Sequence, residues 1–153
     1  RHSGEIDIEN NYFDIIFFFS VLHHIPNVSK VIDEASRVCK KGGLVIMREP
    51  CTSMGNWRKE RSSTPNERGI SKKVMLKFAA KANLKVIKMP IPMLLEPINK
   101  FLHRNNLYKY INFKLLYFVD RILSKFASFQ DYYWRDNFWK KIGPSTYYYF
   151  FLK

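Results

Sequence analysis

The feature that most constrains the fold is an unbroken apolar run, YFDIIFFFSVL, at residues 12–22. β-branched and aromatic side chains dominate this run, and Asn10, Asn11 and Pro26 flank it. Continuous rather than alternating hydrophobicity is typical of a strand that is covered on both faces, as in a parallel sheet. The run therefore predicts a buried strand of an α/β fold.

The next segment predicts a helix followed by a second strand. Residues 28–39 carry apolar side chains at helical spacing, and Gly42 and Gly43 supply a left-handed stop. The short apolar string LVIM at residues 44–47 then predicts a strand, which polar and turn residues end at Pro50. The order up to this point is strand, helix, strand.

A long loop separates this unit from another helix and strand. Residues 51–69 show no apolar periodicity, and long loops in compact domains are often functional. Ser71 is placed to cap a helix over residues 72–83, and LKVIKMPIP at residues 84–92 predicts a third strand. Alternation of this kind implies parallel pairing with right-handed crossovers, and the aromatic string YYYFFLK predicts a terminal strand.

Residues 93–140 have a different composition, because 13 of the 25 aromatic residues lie there. They predict a helical insertion within a single domain that spans residues 1–153. One apolar stripe has helical spacing, and Lys109 and Asp120 fall on the opposite face. The stripe comprises Ile111, Leu115, Phe118, Ile122, Phe126 and Phe129. We interpret it as a helix face packed on its own domain, while the accompanying basic residues leave open a helix on a membrane surface.

Composition and charge exclude several classes of protein. The chain of 153 residues has 26 basic and 13 acidic residues, a net charge of +13, and 46% apolar residues, which excludes a disordered chain. Its two cysteines, Cys39 and Cys51, form neither a disulfide framework nor a zinc spacing, so we expect a cytoplasmic protein. Because the charge is spread along the sequence, we predict no specific nucleic-acid partner.

Four strings in this order resemble the C-terminal half of a class I S-adenosylmethionine-dependent methyltransferase of the domain 11 or 12 type. They are FDIIFFFSVLHHIPN, RVCKKGGLVIMREP, ISKKVMLKFAAKANLKVI and YYYFFLK. The string EPCTSMGNWRKERSSTPNERGI is also similar to methyltransferases found beside glycosyltransferases. The resemblance implies part of a Rossmann-like sheet, strands four to seven in the family order 3-2-1-4-5-7-6, with the helical insertion before the last strand.

The sequence also departs from the family pattern. The six glycines, at positions 4, 42, 43, 55, 69 and 143, form no Gly-x-Gly-x-Gly loop, which in the family lets backbone N–H groups approach the methionine carboxylate. We therefore expect an N-terminally truncated domain that is inactive alone. The first strand would then have an open hydrogen-bonding edge, which we expect to pair with another copy of the chain in a homo-oligomer.

The resemblance implies S-adenosylmethionine as cofactor and a set of residues around it. Ser20, Val21, Leu22 and His23 lie at the end of the first strand, where ligands bind in open α/β sheets. Glu5 and Ile6 align loosely with the residues beside the adenine, although surface charge is the favoured explanation for Glu5. With no Asp or Glu at ligand spacing to the histidines, we predict no metal site.

A second group of candidate residues would act on the molecule that accepts the methyl group. His24 and Glu49 are the candidate catalytic residues. The resemblance places His24 deeper in the site or toward the substrate, and Glu49 could orient or deprotonate an acceptor hydroxyl, although an ion pair is the alternative for Glu49. Four loop residues suit an anionic or sugar-bearing acceptor, namely Trp57, Arg58, Arg61 and Arg68.

These features predict methyl transfer to an oxygen or nitrogen of a small-molecule or glycan-linked acceptor. Two alternatives remain. One is a non-catalytic basic and aromatic module for an anionic membrane or RNA, with peripheral membrane contact. The other is a degenerate methyltransferase-like subunit.

Overall fold

The structure is a computed structural model, and it describes residues 5–53 and 67–153. The strands are β1 (Phe13–Phe19), β2 (Cys39–Pro50), β3 (Lys85–Met93) and β4 (Thr146–Leu152). The helices are α1 (Val28–Val38), α2 (Lys72–Lys81), α3 (Glu96–Arg104), α4 (Phe113–Ala127) and α5 (Phe138–Lys141). Short 3-10 turns lie at Leu22–His24 and Leu107–Tyr110.

The four strands form one sheet in the order β1-β2-β4-β3. β1 and β2 are parallel, while β4 lies between β2 and β3 and is antiparallel to both. This order is that of strands four, five, seven and six, so the predicted α/β Rossmann-like sheet is confirmed. Parallel pairing is confirmed for β1 and β2 alone, because β4 separates β3 from β2.

The hydrophobic core lies between one face of the sheet and helices α1 and α2. Alternate residues of β2 and β4 point into it, including Val45 and Met47 of β2 and Tyr149 and Phe151 of β4. The predicted cap of α2 is confirmed, since the Ser71 hydroxyl accepts from the Val74 N–H at 3.4 Å. These contacts place the carboxyl ends of β1 and β2 side by side at one edge of the sheet.

β1 is not covered on both faces as its continuous hydrophobicity predicts. Ile16 and Phe18 pack against the core, whereas Ile15, Phe17 and Phe19 point away from it, and Phe17 is 57% exposed. β1 is also an outer strand of the sheet that the described residues form. The apolar run therefore has a half-exposed face and an open edge.

The two adjacent glycines do not end α1 as predicted. α1 ends at Val38 and β2 begins directly at Cys39, so both glycines lie within the strand. Gly42 has a φ of 77°, and the register with β1 shifts between Phe13 and Ile15 beside it. The left-handed residue thus belongs to an irregularity in β2, where glycine adopts a positive φ without steric cost.

The orientation of α4 is the reverse of the one we predicted. Its apolar stripe faces solvent, and Asp120, expected on the exposed side, is 3% exposed and faces the protein. The Asp120 carboxylate accepts from the backbone N–H groups of Leu94 and Leu95 at 2.9 and 2.8 Å, which explains its burial. In the described ranges, no helix combines the length and the hydrophobicity that crossing a bilayer requires.

Candidate functional site

A sharp turn follows β1 at the edge where β1 and β2 both end. Ser20 has a φ of 55°, a left-handed conformation that is uncommon for a residue other than glycine. Its N–H donates to the Arg48 carbonyl at 2.8 Å, and its hydroxyl accepts from Arg48 Nη1 at 2.7 Å. Arg48 also forms an ion pair with Glu96 at the start of α3. The turn is thereby tied to both β2 and the helical insertion.

Glu49 organises the residues after this turn. Its side chain is completely buried, with 0% exposure. One carboxylate oxygen accepts from the N–H groups of Val21 and Leu22, both at 2.9 Å, and the other from the N–H of His23 at 3.4 Å. The second oxygen also lies 2.7 Å from His23 Nδ1, which must donate because a carboxylate only accepts. Glu49 therefore fixes the backbone of the 3-10 turn and the His23 ring together.

His23 and His24 stack beside each other, with ring centroids 4.0 Å apart. His23 is buried and His24 is exposed. Glu67 joins them, and the three side chains place one nitrogen or carboxylate oxygen each within 4.8 Å of the others. Sequence spacing missed Glu67, because it lies 43 positions after His24 and the fold alone brings the two together.

A cavity of about 510 Å³ opens beside this turn. Its lining mixes apolar side chains of the turn, α1 and α2 with polar groups that include His23, Arg68 and Tyr133. The Arg68 N–H donates to the His23 carbonyl at 3.1 Å, which places this predicted acceptor residue next to the turn. A Cβ at Gly69 would overlap the backbone of Thr52, so only glycine permits this close approach.

Glu5 and Ile6 contact the side of helix α1, and they do not lie at the turn that follows β1. The Glu5 carboxylate pairs with Lys30 at 3.0 Å, and the Ile6 backbone exchanges hydrogen bonds with Glu34 and Arg37. The Arg37 guanidinium also donates to the Ile8 carbonyl and to the Asn10 side chain, so it holds the N-terminal segment on the helix. The hydrogen bonds from Arg37 are the main cause that lowers the pKa of Glu34 to about 2.

The remaining predicted acceptor residues, Trp57, Arg58 and Arg61, lie outside the described residues. Of the predicted set, the structure brings Ser20 to His24, Glu49 and Arg68 together around one turn. Tyr133 is a cavity residue that the sequence did not reveal, because it comes from the insertion, far from the turn along the chain. Its hydroxyl donates to the Gly69 carbonyl at 3.0 Å.

An α/β sheet with this strand order and a polar site at the carboxyl ends of its parallel strands defines a methyltransferase-like fold. Residues 2–47 match the sequence model of the methyltransferase domain family. None of the curated proteins matches the sequence.

Several solved structures share the fold. A protein from Galdieria sulphuraria, provisionally named a sarcosine dimethylglycine methyltransferase, has a TM-score of 0.57 and 17% identity over 98% of this chain and 56% of its own. A provisionally named methyltransferase from Bacillus halodurans has a TM-score of 0.52 and 15% identity over 96% of this chain and 64% of its own. Phosphoethanolamine N-methyltransferase 2 from Haemonchus contortus was solved with S-adenosyl-L-methionine. It has a TM-score of 0.52 and 17% identity over 96% of this chain and 34% of its own.

Identities this low show a shared fold, and the chain spans 34–64% of the length of these three structures. The family match covers residues 2–47, less than a third of the chain, and the strand order is that of the class I S-adenosylmethionine-dependent methyltransferase fold. S-adenosylmethionine is the cofactor of that family, and the protein from Haemonchus contortus was also solved with S-adenosylhomocysteine.

Proposed function

We propose that this chain forms the acceptor-side part of a methyltransferase that transfers a methyl group to an oxygen or nitrogen of a small-molecule or glycan-linked acceptor. The observation that carries the proposal is the turn Val21–His23, which the buried Glu49 holds at the end of β1 beside the cavity. A group held on buried hydrogen bonds is preorganised, and methyl transfer depends chiefly on such alignment of its reactants.

The residues present fit one side of S-adenosylmethionine. The turn from Ser20 to His23 offers a rigid wall at the edge of the sheet where ligands of this fold class bind. The glycines of the sequence form no Gly-x-Gly-x-Gly loop, so these 153 residues offer no family-type cradle for the methionine carboxylate. The proposal therefore assigns to this chain the strand-end wall and the acceptor cavity.

His24 is the proposed general base. S-adenosylmethionine, when bound, supplies an electrophilic methyl group on a sulfonium. His24 is exposed at the turn and would take the proton that the acceptor hydroxyl or amine loses. Glu67, within 4.8 Å, would stabilise the positive imidazolium that results. Glu49 has no such access, because it is fully buried, so its proposed role is to position the turn.

Arg68 favours an acceptor with an anionic group. Its side chain is exposed and lines the cavity, and a guanidinium binds carboxylate or phosphate oxygens in pairs. We therefore propose an acceptor such as a sugar phosphate or a uronic acid, with the cavity enclosing the sugar ring.

The test is transfer of a labelled methyl group to hexose phosphates, uronic acids and the neutral parent sugars, by a complete enzyme that contains this chain together with a Gly-x-Gly-x-Gly cofactor loop. We expect product from the acidic acceptors, about 100-fold slower turnover for His24→Asn, and a KM for the acceptor about tenfold higher for Arg68→Gln. His103→Asn and Arg104→Gln, both exposed on α3, are matched controls with unchanged kinetics. Product from neutral sugars alone, or full turnover by His24→Asn, would contradict the assignment.

We also propose that the open edge of β1 pairs with a strand of another copy of the chain. Support comes from the half-exposed apolar residues of β1 and from its outer position in the described sheet. An outer strand presents unpaired N–H and C=O groups that favour such pairing.

A further inference from the structure

The outward face of α4 is fixed by contacts on its inward face. Asp120 accepts from the Leu94 and Leu95 N–H groups and from the Ser124 hydroxyl at 3.0 Å, which sets the rotation of the helix about its axis. Phe118 and Ile122 are each two residues from Asp120, about 200° around an α-helix. They therefore point away from the protein, and Phe118 is 61% exposed.

The rest of the stripe follows the same face. Phe126, at 73% exposure, and the neighbouring aromatic and aliphatic side chains form a continuous apolar ridge. We call it the α4 ridge, and it comprises Leu115, Phe118, Ile122 and Phe126 of α4 and Phe129 just beyond its end. An apolar surface of this kind marks a binding surface rather than ordinary surface variation.

Within residues 94–130, which carry the α4 ridge, the exposed charge has one sign. Residues 94–130 contain two acidic residues, Glu96 and Asp120, and both are buried in internal contacts, Glu96 with Arg48. Lys109, Lys114 and Lys125, in contrast, are exposed. The ridge is therefore bordered by positive charge that no exposed carboxylate of the same segment offsets.

A basic groove of about 580 Å³ lies beside the ridge, between β3 and α4. Lys72, Lys88, Arg121 and Lys125 line it, and Lys72 is paired with Asp131 at 2.7 Å. Ile122 lines the groove and also belongs to the α4 ridge, so the cationic and apolar surfaces are continuous.

We propose that the α4 ridge and this basic groove dock the protein on an anionic lipid bilayer. α4 would lie in the plane of the interface, with the phenylalanines at the acyl boundary and the lysines and Arg121 on lipid phosphates. A second copy docked on the same ridge would place its own lysines against the lysines of this copy, and the like charges would repel each other. RNA is a poorer fit, because single-stranded RNA binds by stacking its bases on aromatic rings, and the aliphatic side chains of Leu115 and Ile122 offer no such stacking.

The experiment is sedimentation of the intact protein with phosphatidylcholine vesicles, with and without a third of phosphatidylglycerol. We expect binding to the anionic vesicles that weakens as salt rises. The double variant Phe118→Glu and Phe126→Glu changes only exposed side chains and should lose at least about tenfold in affinity. Lys114→Gln with Lys125→Gln should lose about 25-fold on anionic vesicles. Tyr12→Glu, an exposed aromatic residue before β1, is the matched control with unchanged binding.

Three outcomes would overturn the proposal. The first is equal binding of the Phe118→Glu and Phe126→Glu variant and the unaltered protein. The second is a dimer in light scattering that this variant dissociates, which would assign the ridge to a second copy. The third is tighter binding to single-stranded RNA than to the anionic vesicles at the same salt. Circular dichroism of each variant shows whether it is folded, so a folding defect is distinguished from lost docking.

Discussion

Replacement of Glu49 by glutamine tests whether one buried carboxylate holds the turn after β1. In the structure, this carboxylate accepts three backbone N–H groups and the His23 ring. Glutamine has nearly the same shape but no charge, and it offers one acceptor oxygen instead of two. The substitution thus changes the hydrogen bonds and leaves the packing almost unaltered.

The magnitude follows from those contacts. The glutamine oxygen can keep the two 2.9 Å bonds from Val21 and Leu22, but a neutral acceptor makes each about 0.5–1 kcal/mol weaker. The glutamine amide nitrogen would face two donors, the His23 backbone N–H and the protonated Nδ1 of the His23 ring. Because an amide nitrogen only donates, the ring would have to move its proton to Nε2 so that Nδ1 could accept. We expect a loss of about 2 kcal/mol for Glu49→Gln and of about 4 kcal/mol for Glu49→Ala, which leaves buried donors without an acceptor.

The assay is thermal unfolding followed by circular dichroism at neutral pH. For a chain of this length, a loss of about 2 kcal/mol lowers the Tm by about 4–8 °C. Glu9→Gln, at an exposed position, should change the Tm by less than about 2 °C. A Glu49→Gln protein as stable as the unaltered protein would refute the claim that this carboxylate organises the turn.

Two further predictions concern the N-terminal segment and the β1 edge. Arg37→Lys should lower the denaturant midpoint of unfolding, because lysine cannot reproduce the forked contact with Glu34. The pKa of Glu34 in the folded protein is lowered to about 2, so the charged pair stabilises the fold above about pH 4.5. The difference in stability between the Arg37→Lys protein and the unaltered protein, measured by chemical denaturation, should therefore narrow as the pH falls from there toward 2. An unchanged difference over that range would contradict the pairing. Sedimentation equilibrium should show a dimer or a larger species that Ile15→Lys dissociates, and a monomer at every concentration would contradict the edge pairing.

Local sequence patterns predicted most of the elements, because the responsible interactions are local. The Ser71 cap, the apolar periodicity of α1 and α2 and the apolar strings of the strands all act within a few residues. The order of the strands came from family resemblance, since no local pattern specifies that β4 inserts between β2 and β3.

Two of the misses, the orientation of α4 and the position of Glu67, arose where a contact between residues distant in the sequence decided the outcome. Hydrophobicity alone would bury the stripe of α4, but two N–H groups at residues 94 and 95 need an acceptor, and Asp120 supplies it from the opposite face. Glu67 lies beside His24 only in the folded chain, and sequence spacing does not indicate that proximity.

A usable signal for Glu49 was nevertheless present. In β2, the period of two residues puts Glu49 on the same face as the core residues Val45 and Met47. A carboxylate on the buried face must find donors there, which indicates a positioning role rather than a free base.

Titration of S-adenosylhomocysteine into the isotopically labelled chain, followed by the backbone amide resonances, tests the central claim most directly. The claim is that the turn after β1 forms one wall of the cofactor site, and amide shifts report contact even when binding is weak. We predict concentration-dependent shifts that concentrate at Ser20, Val21, Leu22 and His23 and leave the middle of β3 and β4 unchanged. Shifts confined to other parts of the chain, or none at millimolar ligand, would contradict the account.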